Sequence, residues 1–266
     1  MDENHEVNQT AALGSHHNTF AGTVNNYGLS VTDVTRMALQ MFREYYPQLQ
    51  KEALDTVQKL VEEHLKLIPA ENIIPPKANV VVPVLQNASL TEEPDLLKMY
   101  ATVLANSMDK FMQSGIHPGF VDVIRQLSSD EAKILKYMNQ HPTVPTVTLR
   151  ATDEKRAGFS VVKNFSNIGE LTGCEVPYNT GFYFDNLQRL GLVSNGGNMA
   201  ALSDESLYEP LENNKYMHDK MNNIRQQQTY NRPLLMAGFF ELSDYGKAFC
   251  KACMTIQIHT VITAES

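Results

Sequence analysis

Cysteine is scarce: Cys174, Cys250 and Cys253 are the three in 266 residues. They are too few and too unevenly spaced for a disulfide framework, which fits a reducing compartment. Long apolar runs are missing as well. None approaches the roughly 20 residues a helix needs to cross a bilayer, so no integral membrane segment is expected. The N-terminus lacks the basic and apolar regions of a secretion signal, and a cytoplasmic location is the expectation. Positive charge is in the minority, with 22 Lys and Arg against 30 Asp and Glu, a formal net charge of −8 and a pI of about 5.5. A dedicated non-specific nucleic-acid binder needs a cationic field to displace counterions, and this balance argues against one. No phosphate loop is present, because Gly196-Gly197 has neither a following lysine nor a strand-to-helix setting.

What is present belongs to an ordinary globular chain, 42% hydrophobic and 20% charged, long enough for one large domain or two small ones. Residues 1–29 form an Asn/Gly-rich tail. SVTD (Ser30 to Asp33) then reads as a capping box, followed by apolar residues at helical spacing to Pro47, which breaks or kinks the helix. A second helix resumes through Ala53, Val57, Val61 and Ile68. Prolines 69, 75, 76 and 83 argue against a regular helix over 68–90, and Val80 to Val82 suggest a short extended piece. A helix over 92–114 presents a wide apolar face, with Gly115 as its left-handed stop. HPGFVDVIRQL (117–127) makes a short helix, and SSDE (Ser128 to Glu131) repeats the capping-box signature.

From 128 the order is a helix, a short helical turn at 166–173, a helix at 178–194, a strand, a long polar excursion, a strand and a helix capped by Ser243. The fold class expected is mainly α: a helical part over 30–127, then a winged-helix-like part over 128–259 with short β strands. Its enlarged wing spans 195–233, and 260–266 is a C-terminal tail. In NLQRLGLV, Leu187 and Leu190 face the core, Gly191 ends the helix, and Leu192 and Val193 begin the wing strand.

IPAENIIPP, LLKMYATVLANSMDK (96–110) and IHPGFVDVIRQLSSDEAKILKYM (116–138) resemble the Abi-alpha family of bacterial proteins, named for abortive infection. NLQRLGLV and LSDYGKAFCKAC fit its C-terminal half, so the likeness covers about residues 50–255. It implies a role in defence against phage and brings no catalytic residues with it. Residues 16–49, with NYGLS and a helix ending near YYPQLQ, are similar to a module at the front of other bacterial proteins. Such a module suits addressing or assembly better than catalysis.

No reactive constellation emerges. Cys250 and Cys253 share one helix face as a single C-x-x-C pair, which suits buried thiols better than zinc; Cys174 and His259 could complete a ligand set only if the fold gathered them. His5, His16 and His17 read as polar filler, and His117, before Pro118, as a turn residue. The pairs Glu62/Glu63, Glu92/Glu93 and Asp130/Glu131 point about 100° apart on a helix and read as solvated faces or first-turn dipole partners. No enzyme activity and no cofactor are expected.

Two regions are candidates for contact. In the tail, NQTAALG and NTFAG each open on asparagine and close on glycine. Asn8, Gly14, Asn18, Phe20 and Gly22 mark a possible assembly segment, since stacked copies can form asparagine ladders; a disordered leader is the plainer reading. Helix 178–189 is a candidate recognition helix, in which Asn179, Asn186 and Gln188 suit adenine and Arg189 suits guanine or phosphate. Phe182, Tyr183 and Phe184 make it aromatic, so a protein partner or self-association is favoured over DNA. The expected function is a non-enzymatic anti-phage component acting through assembly or partner binding, and the alternative is a DNA-binding winged-helix regulator.

Overall fold

A computed structural model describes residues 51–196 and 201–256, together with residue 40. The tail with Asn8, Gly14, Asn18, Phe20 and Gly22, the capping box at 30–33, the Pro47 break and His259 lie outside the described residues. The protein is mainly helical, with ten α-helices and one four-stranded antiparallel sheet among the described residues. The chain divides into two compact units, 1–122 with 255–266, and 123–254.

In the first unit, α1 (Lys51–Leu65) buries Leu54, Val57, Val61 and Leu65, a stripe at three- and four-residue spacing. α2 (Ala78–Ala88) corrects the extended reading of Val80 to Val82. Val80, Val84, Leu85 and Ala88 form its buried stripe, and that burial outweighs both the β preference of valine and the presence of Pro83. Pro83 leaves the Asn79 carbonyl without its helical donor, and Asn79 lies on the exposed face, open to solvent.

α3 (Pro94–Ser107) packs against α1 and α2 and is buried on every side from Met99 to Ser107. Proline at its first position leaves no donor wanting. The helix stops well before Gly115. The bond that would continue it, from Phe111 N–H to the Ser107 carbonyl, is diverted at both ends. Phe111 N–H donates to Asp109 Oδ1 at 2.8 Å, and the Gln113 amide takes the Ser107 carbonyl at 2.8 Å. Gly115 instead closes a 3-10 turn (Gln113–Gly115). α4 (Gly119–Arg125) follows.

In the second unit, α5 (Ser129–Met138) opens on the expected capping box. Ser128 Oγ accepts from Glu131 N–H at 3.2 Å, and Glu131 Oε2 accepts from Ser128 N–H at 2.7 Å. A hairpin follows where the sequence pattern predicts no element: β1 (Thr143–Thr152) and β2 (Gly158–Phe165). Pro145 is tolerated because β1 pairs with β2 only from Val147 onward, so its missing donor interrupts no ladder there. Next come α6 (Ile168–Leu171), α7 (Thr180–Arg189) and β3 (Val193–Asn195). After a 3-10 turn (Glu205–Tyr208) the chain forms α8 (Glu209–Glu212), α9 (Lys215–Arg225), β4 (Arg232–Leu242) and α10 (Asp244–Cys253).

The sheet runs β2-β1-β4-β3. On one face Val147, Leu149, Ala151, Val162 and Phe165 are covered by Tyr208, Leu211, Met217 and Ile224. The excursion 195–233 therefore carries helices folded back onto the sheet. Each covering side chain contributes roughly 1.5–3 kcal/mol by its burial. Toward one end of the other face, Phe240 stacks on Phe184 of α7 at 4.4 Å. Gly191, at φ +74°, ends α7 as expected, and Leu192 N–H closes the turn on the Leu187 carbonyl at 2.9 Å.

Candidate functional site

The stretch from α6 to α7 is held by a buried polar knot centred on Asp130, which is 7% exposed. Tyr183 of α7 donates its hydroxyl to Asp130 at 2.6 Å, and Lys133 of α5 reaches it at 3.1 Å. The backbone N–H groups of Glu175 and Val176, in the α6–α7 turn, donate to the same carboxylate at 2.9 and 3.3 Å. Lys133 also donates to the Gly173 carbonyl at 3.1 Å. Burial pushes the Asp130 pKa up, but the Tyr183 hydrogen bond, followed by those of Glu175, Lys133 and Val176, overcomes it and holds the group at about 2. Tyr183 is raised, first by burial and then by the bond it donates to Asp130. It therefore remains a hydroxyl donor at neutral pH.

Asp130 and Glu131 are thus not solvated. Glu131, 1% exposed, completes the capping box and accepts the Asn186 amide at 2.8 Å. Nothing local in the sequence marks this knot, because Tyr183 lies 53 residues beyond Asp130. The visible signal was SSDE, and it spoke only for the helix start.

The candidate recognition residues divide in two. Asn186 and Arg189 are engaged within the protein: Arg189 donates to Asn186 Oδ1 at 2.7 and 2.9 Å and to Gln126 Oε1 at 3.1 Å. Asn186 also donates to the Gln126 carbonyl at 3.2 Å. Asn179 and Gln188 are exposed. Of the three aromatics, Tyr183 and Phe184 are buried, while Phe182 is 64% exposed.

Phe182 is one of four large apolar side chains exposed within residues 171–182, with Leu171, Val176 and Tyr178. Tyr178 stacks on Tyr216 of α9 at 4.6 Å and donates to Glu170 at 3.1 Å. Asn214 donates to the other Glu170 oxygen at 2.8 Å, tying the excursion to α6. An apolar surface on a well-braced turn can take up another surface without first being ordered.

The thiols lie in the interior. Cys250 and Cys253 are buried on α10; burial pushes Cys250 up to about 12 and holds Cys253 well above the ordinary thiol value, so both stay protonated. Cys174 is buried beside Thr172, and burial raises its pKa against the opposing Thr172 contact. His117 makes the turn expected of it, with Nδ1 accepting from Gly119 N–H at 3.0 Å. No group of His, Cys, Asp and Glu suited to a metal ion occurs among the described residues. No helix among them is long and apolar enough to cross a membrane.

The abortive infection alpha family matches residues 49–253, and the chain belongs to that family. No curated protein matches it. One solved structure, an uncharacterized protein from the marine bacterium Alcanivorax borkumensis SK2, is similar at 20% identity. It covers 48% of this chain and 87% of its own, with a TM-score of 0.35.

Proposed function

We propose that this protein is a non-enzymatic component of bacterial defence against phage, acting through contact with a protein partner at the α6–α7 surface. Membership of the abortive infection alpha family supports the defence role. The observation that carries the contact is the exposure of Leu171, Val176, Tyr178 and Phe182 on a turn anchored by Asp130. Aromatic side chains on a firm scaffold supply contact area at low entropic cost. In this reading residues 123–254 form a winged-helix-like unit, with the β1–β2 hairpin inserted after its first helix and the excursion folded over the sheet.

The test is Phe182→Asp in cells challenged with phage, beside the solution mass of the purified protein by light scattering. The variant is expected to keep its fold, since Phe182 is exposed, and to lose both protection and any assembled species. Full protection by Phe182→Asp would refute the contact. Salt-sensitive duplex binding abolished by Arg189→Ala would replace the reading with a DNA-binding regulator.

A further inference from the structure

A second feature lies on the sheet, away from the helices that cover its other face. A half-open cleft of about 280 Å³ is lined by Thr146, Thr148 and Arg150 of β1, Ser160 and Asn164 of β2, and Met236 and Gly238 of β4. Its polar groups converge. Thr146 lines the cleft floor with 2% of its surface exposed, and its hydroxyl makes no hydrogen bond to another described residue. The oxygen is not sealed off, since the buried unpartnered side-chain atom among the described residues is His64 Nδ1; Thr146 Oγ1 opens to the cleft, where water or a ligand can bond it. Gly238 keeps that hydroxyl uncovered, because a Cβ there would stand 3.3 Å from Thr146 Oγ1.

Arg150 supplies the charge. One guanidinium nitrogen donates to the Gly158 carbonyl at 2.9 Å, which fixes the side chain over β2. No carboxylate pairs with it among the described residues, and no acid lines the cleft. Among the described residues Arg150 is thus a cation without a carboxylate partner in a concave site, within a chain of net charge −8. Asn164 adopts φ +51°, and its N–H donates to Thr148 Oγ1 at 3.2 Å. The β2 irregularity opposite Thr148 thereby brings Asn164 to the cleft wall, where a regular ladder would have aligned it with the strand.

We infer that this cleft binds a small organic oxyanion, with Arg150 pairing the charged group, Thr146 and Ser160 hydrogen-bonding it, and Met236 contacting its apolar body. Guanidinium–oxyanion hydrogen bonds are the strong kind, and the volume suits a compact metabolite rather than a polymer. A phosphate monoester and a carboxylate share this chemistry.

The experiment is isothermal titration calorimetry on the full chain with phenyl phosphate and with benzoate, and with benzyl alcohol as the neutral control. One site per chain is expected for at least one anion, at sub-millimolar Kd. Arg150→Met is expected to weaken it at least tenfold and Thr146→Val, nearly the same shape, several-fold. Circular dichroism establishes that each variant is folded; should Arg150→Met unfold, Thr146→Val and competition by chloride take its place. Binding of phenyl phosphate alone assigns a phosphate monoester, and of benzoate alone a carboxylate. Failure of both anions to bind, equal binding of benzyl alcohol, or affinity unchanged in the folded variants overturns the assignment.

Discussion

Asp130 shows how much a single carboxylate can organise. Two backbone N–H groups, a phenol and an ammonium all point at it, so Asp130→Asn removes the charge that each of them opposes. That substitution is expected to cost roughly 2–4 kcal/mol in urea unfolding. The pH dependence has a definite sign. The folded pKa of about 2 lies below the ordinary 3.8. The stabilisation, about 2 kcal/mol, is therefore complete above pH 3.8 and lost as the pH falls through about 2. Asp130→Asn is expected to flatten that acid limb; an unchanged limb would show that other carboxylates cause it. Two glycines make a matched pair of a different kind. At Gly191 a Cβ would meet Tyr245 Cδ1 at an ordinary 3.8 Å, but the residue sits at φ +74°, so Gly191→Ala is expected to cost about 1 kcal/mol. At Gly246 a Cβ would run into the Leu192 carbonyl oxygen, and Gly246→Ala is expected to cost more than about 3 kcal/mol. Thermal melts of the two variants check the order.

Elements were legible where their signals were local. Ser128 with Glu131, Ser243 ahead of α10 and Gly191 after α7 each act within a few residues, and each was read from the chain alone. The end of α3 was not, because Gln113 and Asp109 intervene through side-chain bonds that no periodicity encodes. The β1–β2 hairpin was missed for a related reason. Its strands have Pro145 in one and an irregular register in the other, which blurs the alternation that marks a strand. α2 is the sharpest case, since three valines and a proline suggest anything but a helix, and tertiary burial decides. Pro83→Ala is accordingly expected to stabilise the protein by roughly 1–3 kcal/mol, measured by chemical unfolding. A loss of stability would mean that the ring itself packs usefully.

At the scale of the whole molecule, the candidate contact surfaces were only partly foreseeable. Phe182 was visible as an aromatic on a polar helix, but its separation from the buried Tyr183 and Phe184 required the fold. The cleft was invisible, because Thr146, Ser160 and Met236 come from three strands that sequence spacing does not unite. The Asp130 knot has one more consequence, for the route by which this unit forms. Its carboxylate reaches Glu175 and Tyr183, 45 and 53 residues onward, and the hairpin lies inside the loop so closed. Closing so long a loop is entropically unfavourable until the intervening strands have paired. The knot is thus expected to form late, after the transition state. Asp130→Asn is expected to leave the refolding rate nearly unchanged and to speed unfolding by most of its energetic effect. By that expectation the residue that braces the α6–α7 surface also sets how long that surface lasts once formed.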